Sequence, residues 1–186
     1  MLTVPIKCAS PTYKKAPFYT IQLNRKDKRY VAYLQDSEKM KSFILSYIEK
    51  DRDEKDGGIL KHFFTTQSKG LHVSITDFKN TEKPLKYRGI VNKETLITAV
   101  EKYSTLIFTD GFHELMIWRK ADEYMVIDDH GLICVYTKKD YSTKFISYGI
   151  NFEENAPLIY DYAHWHIQAV NGVVDLKNLI NELRLT

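Results

Sequence analysis

Residues 104–138 read STLIFTDGFHELMIWRKADEYMVIDDHGLICVYTK, a series of short apolar runs cut by turn residues. The runs are STLIFT (104–109), FHELMIWR (112–119), EYMVID (123–128) and LICVYT (132–137), separated by Asp110-Gly111, Lys120-Ala121-Asp122 and Asp129-His130-Gly131. Runs of this length rich in Ile, Val, Phe, Tyr and Trp predict strands. Connections this short require antiparallel neighbours. The stretch is therefore expected to be the sheet core.

Outward from it, FYTIQLN (18–24) and RYVAYLQ (29–35) flank the charged RKDK and predict a hairpin. Asp36 or Ser37 caps a helix in which Met40, Phe43, Ile44, Tyr47 and Ile48 share a face. KDRDEKDGG (50–58) ends it as a polar loop. ILKHFF (59–64) and LHVSITDF (71–78) predict a second strand pair, and residues 79–91 an irregular basic segment. Asn92 caps a helix to about Lys102, and FISYGIN (145–151) predicts one more strand.

Residues 155–170 fit two templates. As a helix, Asn155 caps it and Ile159, Tyr162, Ala163, His166, Ile167 and Val170 line one face, with Asn171-Gly172 as the stop. As a strand, Tyr160, Tyr162, His164 and His166 share a face. The helix fits slightly better. A last helix is capped by Asp175 and striped by Leu176, Leu179, Ile180 and Leu183. Elements run strands then helices, with no βαβ rhythm. The expected class is α+β, a mainly antiparallel sheet of short strands with about three to four helices. The chain of 186 residues is expected to form a single domain, 1–186, with an irregular basic N-terminal arm over about residues 1–17 that holds Pro5, Pro11 and Pro17.

Composition narrows the classes further. Thirteen Tyr, nine Phe and two Trp give a chain rich in residues that suit both strands and contact surfaces. Two cysteines, Cys8 and Cys134, make no secreted disulfide framework. No run approaches a membrane span, and the N-terminus lacks the apolar core of a signal peptide, so a cytoplasmic location is expected. The net charge of +3 divides unevenly: residues 1–100 carry 19 Lys+Arg against 11 Asp+Glu, and residues 101–186 carry 8 against 13.

Asp128-Asp129-His130-Gly131 joins two carboxylates to an imidazole, a set suited to a divalent metal or to acid–base work. The same residues are what a tight turn needs for its own backbone, and we read them as a turn. His164-Trp165-His166 supplies paired ligands only on a strand, because on a helix the rings diverge. No P-loop, dinucleotide fingerprint, nucleophile elbow or Cys-x-x-Cys pair is present. No catalytic residue, metal ligand set or cofactor is assigned. The acidic, aromatic second half suits a basic partner, since charge steers encounter and aromatics anchor it. The expected contact residues are Asp110, Glu114, Trp118, Asp122, Glu123, Tyr124, Asp128, Asp129 and His130.

The tenor of GFHELMIW (111–118) and EYMVIDDHGLICVY (123–136) resembles the cytoplasmic immunity proteins that neutralise bacterial contact-dependent or polymorphic toxins. The resemblance implies a non-enzymatic inhibitor that binds one cognate protein toxin, often a nuclease, with no membrane partner. Two alternatives differ in what they require. A nucleic-acid-binding module needs the basic residues of the N-terminal half, with Tyr13, Tyr30 and Tyr33, on one face. A small His-dependent nuclease or hydrolase needs two or more of the six histidines gathered with Asp128 or Asp161.

Overall fold

The computed structural model describes residues 7–10, 12–13, 17–24, 27–34, 36–49, 70–79, 82–120 and 122–186. The predicted strand 59–64, the loop 50–58 and most of the N-terminal arm lie outside the described residues. The chain forms β1 (Cys8–Ala9), β2 (Phe18–Asn24), β3 (Asp27–Tyr33), α1 (Ser37–Glu49), β4 (Gly70–Asp77), β5 (Leu85–Asn92), α2 (Lys93–Lys102), α3 (Ser104–Thr109), β6 (His113–Lys120), β7 (Glu123–Ile127), β8 (Ile133–Thr137), α4 (Ser142–Ser147), β9 (Asn151–Phe152), a 3₁₀ turn (Ile159–Asp161), β10 (Trp165–His166) and α5 (Gly172–Leu183). The class is α+β with a mainly antiparallel sheet. Eight strands run in the order β5-β4-β6-β7-β8-β3-β2-β9, and β1 pairs β10 separately.

Period-two alternation divides the sheet into two faces. Tyr30, Val73, Ile75, Leu115, Ile117, Met125, Ile127, Ile133 and Val135 point at the helices and join the larger core. There Phe145 of α4 stacks on Phe43 of α1, centroids 5.1 Å apart and 9° from parallel. The other face carries Phe18, Val31, Val126 and Cys134. Among the described residues it is covered by Cys8 and Tyr13 from the N-terminal segment and by Ala156, Leu158 and Ile159.

Four expectations are corrected. Residues 104–109 form α3, not a strand. Leu106, Ile107 and Phe108 are buried in succession, and a short apolar run has no period to separate strand from helix. Asp110 N donating to Leu106 O (3.2 Å) shows the helical spacing. Residues 85–92, expected irregular, form the edge strand β5, whose largely exposed side chains hide its alternation. FISYGIN is split: α4 ends after Ser147, and Gly149 at φ +72° turns the chain toward β9. Residues 155–170 are not a helix. Asn155 adopts φ +53° instead of capping, Ile159–Asp161 form a 3₁₀ turn, and Trp165–His166 form β10, so the strand template holds only at that short strand.

The C-terminal end doubles back on the sheet edge. Leu185 packs where Gly89 leaves no Cβ in its way. Arg88 N donates to Thr186 O (2.8 Å) and Thr186 N to Arg88 O (3.0 Å). Among the described residues no helix is long and apolar enough to cross a membrane.

Candidate functional site

The nine expected contact residues do not share one surface. Asp110, Glu123 and Asp128 are buried, which corrects their assignment as contacts. Their reason for being inside is backbone and charge satisfaction. Asp110 closes the loop after α3, accepting from the amides of Phe112 (3.0 Å) and Ala169 (3.0 Å), with His113 Nδ1 at 2.9 Å. Burial opposes the charge on Asp110, but His113 and the two amides outweigh it and hold the carboxyl below its ordinary range. Glu123 accepts from Arg119 (3.0 Å) and from the Tyr141 hydroxyl (3.1 Å).

Asp128 serves the β7–β8 turn, as its residue type predicts. One carboxylate oxygen accepts from the amides of His130 (3.0 Å) and Leu132 (2.8 Å), and the other accepts from the Tyr160 hydroxyl. Burial nevertheless raises its pKa, against the pull of those donors.

The remaining contact residues are partly open. Glu114 and Trp118 face away from the helices, Trp118 opposite Tyr124 and Tyr124 opposite Tyr136. Tyr124 and Tyr136 stack at 4.3 Å and 12°, and Trp118 follows at 6.0 Å. The Arg29 guanidinium lies 5.5 Å from the Tyr136 ring and donates to Gln22 (3.0 Å) and Cys134 (3.3 Å). Asp122 is exposed and paired with Lys138 at 3.1 Å.

Beneath the cover of the second face lies an assembly that the sequence reading did not put together. Cys8 on β1, His130 in the β7–β8 turn, and His164 and His166 around β10 converge, each offering one donor atom within 4.8 Å of the others. The antiparallel register Cys8–His166 and Ala9–Trp165 brings the first and last segments side by side. Alternation then turns His164 and His166 inward and leaves Trp165 56% exposed. The three rings stand edge to face with centroids 4.9, 4.9 and 5.5 Å apart. Gly111 closes the floor: a Cβ there would collide with the Lys7 carbonyl and crowd His166.

The surroundings are charged and mostly dry. The Cys8 thiol is pushed up to about 12, first by burial and then by Asp129 and Asp128. Lys7 is fully buried, and its ammonium donates to the His113 carbonyl (2.5 Å). Burial pushes it down to about 8 against the opposing pull of Asp128, Asp129, Asp110 and Glu114. The other two histidines among the described residues, His72 and His113, lie elsewhere on the sheet. The His-x-His spacing at 164–166 was the signal for the His164–His166 pair on a strand; Cys8 had no local signal. No protein-family model, no curated protein and no solved structure matches this chain.

Proposed function

We propose that this protein is a non-enzymatic cytoplasmic binding protein of the immunity type, which docks and blocks a basic protein toxin. The observation that carries this reading is the segment following α4. Residues 145–176 contain four carboxylates and no Lys or Arg. Along it Glu154, Tyr160, Asp161 and Trp165 are exposed, and Val170 is exposed completely. Buried Ala156, Leu158 and Ile159 hold the same length of chain on the sheet. Exposed aromatics on a fixed backbone suit anchoring, and carboxylates spaced along a segment without Lys or Arg suit steering of a cationic partner. On this reading the partner surface is this segment rather than Asp110, Glu123 and Asp128.

The test compares wild-type protein with Trp165→Ala and with Glu154→Lys/Asp161→Lys as baits. The retained partner is purified, and its association and dissociation rates are measured at low and high salt. Charge reversal is expected to slow association at low salt, and Trp165→Ala to speed dissociation. Equal rates for all three, or no partner retained by wild-type protein, would sink the proposal.

A further inference from the structure

We infer that Cys8, His130, His164 and His166 form a binding site for one divalent metal ion of the zinc class. The inference stands on this cluster alone and does not require the docking reading.

The first argument is convergence. Three segments far apart in the chain deliver one thiol and three imidazoles to one point. Tetrahedral zinc, at about 2.3 Å from sulfur and about 2.0–2.1 Å from nitrogen, sets its ligand atoms roughly 3.3–3.6 Å apart. Small rotations of side chains already within 4.8 Å of one another reach that spacing.

The second argument is the proton on each ring. His130 Nδ1 stands 2.8 Å from a carboxylate oxygen of Asp129. His164 Nδ1 stands 2.8 Å from the Tyr162 carbonyl, and His166 Nδ1 stands 2.5 Å from the Gly111 carbonyl. None of these oxygens has a proton to give, so each Nδ1 donates. In the neutral ring Nε2 is then left as a lone-pair donor. Fixing one imidazole nitrogen with a carboxylate or carbonyl so that the other faces a cation is the arrangement metal-binding histidines use. Structural histidines require no such agreement among three rings.

The third argument is selection between donor sets. Asp128, Asp129 and His130 also lie close together and would favour a harder ion. Both Asp128 oxygens, however, are taken by the turn amides and by Tyr160. Asp129 already holds His130. The Cys8 thiol makes only long contacts, 3.5 Å to the Asp129 carbonyl and 3.5 Å to His166 Nδ1, so the thiol and imidazole set is the less committed one, and sulfur with nitrogen selects zinc-class ions over magnesium or calcium. Four protein donors close the coordination sphere, which marks a structural rather than a catalytic centre. Such an ion would tie β1, the β7–β8 turn and β10 together and fix the strand from which Trp165 projects.

The test measures metal content of the purified full-length protein, then titrates it with Zn(II) and Co(II). One ion per chain is expected, and Co(II) is expected to show the visible bands of tetrahedral coordination with a thiolate charge-transfer band. Cys8→Ala should lose the charge-transfer band and Cys134→Ala should keep it. His164→Gln should weaken binding by more than the about 10–100-fold that loss of an outer partner causes, while His72→Gln leaves it unchanged. His164 is only half-buried, so its variant carries the test if Cys8→Ala fails to fold. Folded wild-type protein that binds neither ion at micromolar concentration overturns the inference. So does binding that His164→Gln leaves intact.

Discussion

Asp129 and His130 are neighbours in sequence and partners in space, with an Asp129 carboxylate oxygen 2.8 Å from His130 Nδ1. Asp129 is half-buried, which would raise its pKa, yet the hydrogen bond and charge of His130 hold it below its ordinary range. The pair sets the ring's orientation and tautomer before any ion arrives.

Asp129→Asn keeps the size and loses the charge. Its affinity for Zn(II) is expected to fall about 10–100-fold with stoichiometry unchanged, because the partner orients a ligand rather than being one. Competition against a chromophoric chelator reads this directly. An unchanged affinity would mean that the backbone alone orients His130.

Asp128 and Asp122 sit at opposite ends of the β7 hairpin region and should respond oppositely to charge reversal. Asp128→Lys places a cation where two amides and a phenol need an acceptor, so loss of the cooperative fold is expected by circular dichroism. Asp128→Asn, which retains one acceptor oxygen, should cost about 1–3 kcal/mol in urea denaturation. Asp122→Lys is exposed and should stay within about 0.5 kcal/mol of wild type. A stable Asp128→Lys protein would contradict the buried turn.

Arg119 and Glu123 form an ion pair at 3.0 Å on the helix-covered side of the sheet, with both side chains almost wholly buried. Removing one charge strands the other. Glu123→Ala is expected to lose about 3–5 kcal/mol, and the double replacement Arg119→Met/Glu123→Leu to recover much of it. Chemical denaturation of the single and double variants decides this. Equal stability of Glu123→Ala and wild type would remove the pair as a structural element.

Asp110 predicts the acid limb of stability. Its folded pKa lies below the ordinary 3.8, so the unfolded chain binds the proton more readily. Its contribution is therefore full above that value and is lost as pH falls below it. Asp110→Asn should lose about 1.5–3 kcal/mol at neutral pH, the worth of hydrogen bonds to a charged group, and should show a flatter decline in acid. Denaturation midpoints of both proteins between neutral pH and pH ~3 measure the difference. Parallel pH profiles would refute the assignment.

What the sequence made legible follows from periodicity. The hairpin of β2 and β3 and helix α1 repeat apolar residues with one clear period, while β6, β7 and β8 are apolar runs marked as strands by their length and by the short turns between them. STLIFT is ambiguous, because three consecutive apolar residues among six fit either template, and α3 shows its identity only by continuing from α2. LKYRGIVN failed for another reason: an edge strand has one side in water, so Lys86 and Arg88 need no apolar neighbours. The metal donors divide similarly. His164 and His166 were legible as a same-face pair once the segment was extended. Cys8 was not, since its pairing with His166 spans nearly the whole chain and depends on a two-residue bridge. Asp110, Glu123 and Asp128 looked like surface charges because sequence does not record which amides and guanidinium groups wait for them inside.

The return of Thr186 to Arg88 has a bearing on self-association. An outer strand with unpaired amides is a template on which a second copy can extend the sheet. Here the outward amide and carbonyl of Arg88, midway along β5, are already engaged by the chain's own end. Leu185, buried beside Gly89, anchors that end. A neighbour seeking to add a strand on this side must first peel Leu185 out of the core, which makes those last residues a built-in guard against polymer growth.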